Sequence, residues 1–211
     1  MMNLTETIKN KQSLVLNSSA EQLNFVPGIW VDGKYFWQKN GTELVIYEEE
    51  LIIKVKQEQM HSKIRFSTVY VSNHSQVPKE IKVLAMYHYP YVSGEQLTFI
   101  SPSENRIFHL ANHNVYMVNG HYQGEGIQEY TTMPQWNAFT DQIWSSLEKG
   151  SLMYRPMVKG LSVSIFTIKM IINPHETKKM RTWAINGTNK NEVISLEQVL
   201  LKNTLAFPFE K

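Results

Sequence analysis

Seven histidines are the first residues in this sequence that invite chemistry. His109, His113 and His121 fall within one short stretch that is followed by Glu125 and Glu129, and imidazole with carboxylate is a ligand set for zinc or iron. The spacing works against a shared ion. His109 and His113 lie on one face only if that stretch is a helix, whereas Ile107-Phe108-His109-Leu110 and Val115-Tyr116-Met117-Val118 read as strands joined through Ala111-Asn112. Solvent-facing turn histidines, no cofactor and metal-independent folding are therefore expected, and a His-ligated metal enzyme ranks third among the readings of function.

Other catalytic groupings have less behind them. Ser162 and Ser164 sit in a strand that reads as interior, and no Gly-x-Ser-x-Gly elbow is present to expose a nucleophile. Gly124-Glu125-Gly126 is too short to cradle a phosphate. Asp32 and Asp141 are the only aspartates among the 19 acidic residues, which disfavours calcium loops, two-metal sites and aspartyl dyads. Glu48-Glu49-Glu50 reads as the solvated face of a hairpin rather than a glycosidase pair. Lys178, Lys179 and Arg181, with Lys54, Lys56, Lys63 and Arg65, read as a solvated sheet face. A net charge of +2 gives no excess for nucleic acid.

Aromatic residues are the most suggestive class, with 5 Trp, 10 Tyr and 9 Phe. Trp30, Trp37 and Trp183 lie in strand-like sequence and belong to a core. The segment 121–159 is different. It carries Tyr122, Tyr130, Trp136, Trp144, Tyr154 and Arg155 with three methionines, outside any strong strand pattern, and connections of that length either cover something or bind something.

The elements that must position these residues are mostly strands. Ile81, Val83, Ala85, Tyr87 and Tyr89 alternate with Glu80, Lys82 and His88, and Ile64, Phe66, Thr68 and Tyr70 alternate with Arg65 and Ser67, the period of a strand with one face on a core. Val163 to Ile172 is apolar on both parities and reads as a central strand covered on both faces. Asp32-Gly33 is a hairpin signal, and Asn40-Gly41 follows in the same way. Two Pro-x-Glu loops, after Ile100 and Ile172, lead through strands to Asn119-Gly120 and Asn186-Gly187, an echo best taken as strand punctuation. A helix is expected after Asn137 with Phe139, Ile143 and Leu147 on one face, and another from a capping box at Ser195 and Gln198.

These elements predict an all-β chain: an antiparallel β-sandwich, immunoglobulin-like or a related Greek key, over residues 26–211, with a short helix-bearing insertion at 121–159 and a polar arm at 1–25. Residues 1–24 are expected to be dispensable for folding. No cysteine is present, so disulfides and thiol chemistry are excluded. No signal peptide is read at the start, no apolar run suggests a transmembrane span, and a cytoplasmic location follows by default, with a surface location if the chain is exported by another route. The function expected is a non-catalytic binding or assembly module that engages a protein partner or the cell envelope through a sheet edge and the insertion, with Trp136, Tyr154, Arg155, Tyr122 and Tyr130 as binding residues. The alternative is a carbohydrate-binding sandwich that uses exposed Trp and Tyr.

Overall fold

The computed structural model describes residues 22–91 and 95–206. In chain order the strands are β1 (Asn24–Val31), β2 (Lys34–Trp37), β3 (Glu43–Ile46), β4 (Leu51–His61), β5 (Ile64–Asn73), β6 (Lys79–His88), β7 (Leu97–Ser101), β8 (Arg106–Ala111), β9 (Asn114–His121), β10 (Glu129–Pro134), β11 (Trp144–Ser146), β12 (Ser151–Leu152), β13 (Met157–Lys159), β14 (Ser162–Ile172) and β15 (Thr177–Gly187), and the chain then forms helix α1 (Lys190–Ala206). Sheet A has the order β10-β14-β6-β1-β2 and sheet B the order β13-β7-β8-β9-β15-β5-β4-β3, all pairs antiparallel. The fold is an antiparallel β-sandwich, as the alternating segments require.

The main core lies between the sheets. Ile29, Val31, Ile81, Val83, Ala85, Phe166, Ile168 and Met170 from sheet A meet Ile53, Val69, Val71, Ile107, Val118 and Met180 from sheet B. Each sheet is also covered on its outer face. Trp30, Leu84, Met86, Met133, Val163 and Ile165 of sheet A pack against Ala138, Ile143, Trp144 and Leu152, while Phe66, Phe108, Met117 and Trp183 of sheet B pack against Val193 and Leu200 of α1. Strand β14 is thus lined on both faces at Val163 to Thr167, whereas Lys169 and Ile171 on its outer face are exposed, so the two-sided cover expected for Val163 to Ile172 holds for its first half.

Several local expectations change. Asp32 and Gly33 take φ of 47° and 78° and turn β1 into β2, but Asn40-Gly41 carries the chain from sheet A to sheet B and makes no hairpin. Asn119 and Gly120 lie inside β9, paired with Trp183 and Thr182. Glycine is required there by close approach rather than by a turn, since a Cβ at Gly120 would stand 3.0 Å from the Phe166 ring and from the Arg181 carbonyl.

No α-helix follows Asn137. The chain makes two short 3-10 turns, Gln135–Asn137 and Asp141–Ile143, and the small hairpin β11–β12. Ser145 donates its hydroxyl to the carbonyls of Ser151 and Leu152, the local competition by which serine weakens a helix. At the C-terminal end the helix starts earlier than expected. Asn189 accepts from the Glu192 backbone N–H at 3.0 Å, and the Glu192 carboxylate takes the backbone N–H and hydroxyl of Thr188. That cap begins the helix at Lys190 and leaves Ser195 in its interior.

The segment 1–21, with Leu14-Val15-Leu16, lies outside the described residues. Leu23 is buried and β1 begins at Asn24.

Candidate functional site

The insertion is fixed to sheet A one contact at a time, because irregular backbone must find partners outside itself. Trp30 Nε1 donates to the Leu147 carbonyl at 2.8 Å. Gly150 lies flat on the same indole: its φ is +59° and a Cβ there would stand 2.5 Å from the ring. Lys82, on the outer face of β6, donates to the Gly150 carbonyl at 2.7 Å and to Glu129 Oε1 at 2.5 Å, and Glu129 Oε2 accepts from the Leu152 backbone N–H at 2.7 Å. Ile143, Trp144 and Leu152 are buried beneath this clamp.

The residues singled out from the sequence divide into three places. Trp136 is 72% exposed in the 3-10 turn just past β10. Tyr154 is 54% exposed, and its ring lies 6.0 Å from that of Tyr130 near the other end of β10. Arg155 joins them. Its carbonyl accepts from the Thr132 N–H at 2.9 Å and from the Thr132 hydroxyl at 3.0 Å; the residue is half-buried and its side chain has no ion pair among the described residues. Tyr122 packs against the inter-sheet core with Tyr130, and also borders a groove on the outer face of sheet B. Met153 and Met157 are exposed beside Tyr154 and Arg155 in the chain. The insertion is not free of strand structure, since β10 is an edge strand of sheet A.

The histidines separate by strand parity. His109 faces the sandwich interior and is 2% exposed, so the expectation of a solvent-facing residue fails there. His121 belongs to the opposite face of sheet B, where its ring meets Trp183 edge-on, and it is half-buried. His113 is exposed in the tight turn between β8 and β9, with φ of 63°.

His109 bridges the two sheets: its Nε2 lies 2.8 Å from Ser164 Oγ, its Nδ1 3.0 Å from Thr98 Oγ1, and Thr98 in turn lies 2.7 Å from Ser162 Oγ. Burial, with a smaller contribution from His88, pushes His109 down to about 3. The pair is a neutral, dehydrated hydrogen-bonded link in which a hydroxyl stands where a catalytic triad places a carboxylate. Tyr87 adds a second link, its hydroxyl 2.8 Å from that of Thr182, and burial pushes its phenol up.

This polar seam runs toward a cavity of about 330 Å³ at the open end of the sandwich, between the ends of β1 and β6 on one side and β4, β5 and β15 on the other. Phe25, Lys39, Gln57, Arg65, Ser67 and His88 are among its walls. Arg65 and Ser67 therefore face inward, with Val69 and Val71, and Arg65 is not part of a solvated basic face. The mistake has a simple origin. Both parities of β5 are covered, one by sheet A and the other by α1, so apolar Ile64 and Phe66 mark the helix side.

Lys54, Lys56, Lys179 and Arg181 do share the outer face of sheet B. Tyr70 is paired with both Lys54 and Lys179, and Thr68 with both Lys56 and Arg181. Lys54 is neutralised by Glu43 at 3.0 Å, and Lys56 pairs with Glu58. The Glu48-Glu49-Glu50 run is likewise split. Glu49 is buried and bound by Lys79 at 2.7 Å and Lys34 at 3.0 Å; burial pushes its carboxyl up, but the two lysines outweigh that and hold it below the usual range.

No family model matches the sequence, and no curated protein matches it. Among solved structures the chain is similar to a bacterial glucoamylase complexed with acarbose, at 9% identity and a TM-score of 0.45, over 83% of this chain and 28% of that one. It is similar at 10% identity and a TM-score of 0.46 to a polysaccharide lyase, over 80% of this chain and 26% of that one. The chain thus spans little more than a quarter of either protein, and nothing about activity passes to it at these values.

Proposed function

We propose that this chain is a non-catalytic binding module that engages a protein partner or a cell-envelope component through the exposed face of the 121–159 insertion. The observation that carries the reading is Trp136 at 72% exposure on a segment whose other anchors, Ile143, Trp144 and Leu152, are already buried. Beside the edge of sheet A, Tyr154, Met153, Met157 and Arg155, whose side chain has no ion pair among the described residues, add the residue types that dominate binding hot spots. We give the sheet edges, which the sequence reading paired with the insertion, the smaller part in this proposal. The edge strands β2 and β3 have four residues and β13 has three, while β10 already donates to the Arg155 carbonyl, so little free edge remains for an added strand.

Co-sedimentation of the purified chain with cell-envelope fractions tests the proposal. Trp136→Ala and Arg155→Ala should each weaken retention while leaving the unfolding midpoint near that of the wild type. Wild-type retention of both variants would sink it.

A second reading has its own observation. Trp136 is flanked by the amides of Gln135 and Asn137, with Thr140 and Gln142 exposed nearby in the chain, a ring with polar groups around it as sugar stacking needs. Retardation of the chain in gels containing soluble polysaccharide, abolished by Trp136→Ala and retained by Arg155→Ala, would select this reading over the first.

A further inference from the structure

From the cavity at the open end of the sandwich we infer a binding site for a small organic oxyanion, a carboxylate or phosphate carried on a hydroxyl-bearing body. The cavity, about 330 Å³, is of the size that encloses small ligands. Among the described residues its lining includes two cations, Lys39 and Arg65, and no carboxylate. Arg65 projects from the inward face of β5 and is half-buried, and its guanidinium makes no hydrogen bond or ion pair among the described residues. A guanidinium that lines a cavity with no acid beside it keeps its donors free for an oxyanion, and its planar fork matches the two oxygens of a carboxylate or phosphate.

The rest of the wall suits the body of such a ligand. Gln57, Ser67 and Asn24 offer donors and acceptors for hydroxyl groups, while Phe25, stacked on Tyr87 at 4.9 Å between centroids, provides an apolar side. The Lys39 ammonium stands 4.3 Å from the centre of the Phe139 ring. That contact ties Lys39, a residue of the cavity wall, to the insertion, yet the site is separate from the exposed face that includes Trp136 and Tyr154. This inference is independent of the function proposed above.

Isothermal titration of the full chain with glucuronate, glucose 6-phosphate and glucose tests it, because the three share a ring and differ in charge. At least one of the two anions should bind, glucose at least roughly tenfold more weakly, and Arg65→Gln should weaken the anion by roughly tenfold or more. The anion that binds more tightly identifies the oxyanion. Lys39→Ala removes an exposed cation without touching the core and should reduce affinity severalfold, with the unfolding midpoint unchanged, so the test survives if Arg65→Gln proves unstable. Failure of both anions to bind, equal binding of glucose, or unchanged affinity in Lys39→Ala or in folded Arg65→Gln would overturn the inference.

Discussion

Sheet A is covered on its outer face by irregular chain and sheet B by a helix, and both covers are held by a carboxylate that gathers several donors. In α1 the carboxylate is Glu197, fully buried, which accepts from Arg106 Nε at 2.6 Å, Asn119 Nδ2 at 2.9 Å and Trp183 Nε1 at 3.0 Å. In the insertion it is Glu129, about one-third exposed, bound to Lys82 and to the Leu152 backbone. The helix satisfies its own backbone, so Val193, Glu197 and Leu200 can all be given to docking. The insertion has to borrow partners for Leu147, Gly150 and Leu152. Its side chains are consequently fixed one by one, and Trp136, Tyr154 and Met157 end outside. A regular cover spends its apolar side chains on docking, whereas an irregular one leaves some of them exposed.

The comparison breaks most readily at Glu197. Glu197→Ala should lower stability by about 3–5 kcal/mol, because Arg106, Asn119 and Trp183 lose their common acceptor in a buried place. Urea unfolding measures this; a loss below about 1 kcal/mol would mean that apolar contacts alone hold the helix. Next is Gly150→Ala, where a methyl driven into the Trp30 indole costs about 1–3 kcal/mol and the left-handed backbone about 1–2 more. A near-neutral result would show that the insertion shifts freely on sheet A. Lys82→Ala should cost about 2 kcal/mol, less than Glu197→Ala, since Glu129 can turn to water and only the Gly150 carbonyl is left poorly served. If Lys82→Ala proves the more damaging, the ranking of the two clamps is reversed.

The seam between the sheets should respond to pH independently of either cover. His109 binds a proton near its ordinary 6.5 when unfolded but only near 3 when folded. The unfolded state therefore takes up more protons between those values. Stability is complete above about pH 6.5 and falls as pH drops toward 3, by up to about 1.4 kcal/mol per pH unit for this one group. His109→Gln should flatten that slope between pH 6 and 4, and an unchanged slope would locate the acid sensitivity elsewhere. The smallest effect belongs to Trp136→Ala, which should change stability by less than about 0.5 kcal/mol. A loss of more than about 3 kcal/mol would make that ring core and remove the surplus on which the comparison rests.

The elements were largely legible in the sequence, and the faces were not. Alternation at Ile81 to Tyr89, the two-sided run of β14 and the turn at Asp32-Gly33 follow from local rules, because a strand's period and a turn's positive φ depend on a few neighbouring residues. The excess of rings in the insertion was legible too, but that Trp136 and Tyr154 are the exposed ones was not. Alternation, however, defines two faces without saying what covers each. Arg65 and Ser67 line a cavity, His109 is buried and Asn119 lies inside a strand because sheet A packs on one side of sheet B and α1 on the other. The 3-10 turns of the insertion have the same origin, as Trp30, Lys82 and Glu129 supply from distant strands the partners its backbone lacks. Local sequence was enough for the long alternating strands, the lack of thiol chemistry and the excess of aromatic residues, but not for β10 to β13 within the insertion. Which polar groups face inward follows from the packing of the layers, because burial depends on which layers meet across the sandwich and no local pattern encodes that pairing.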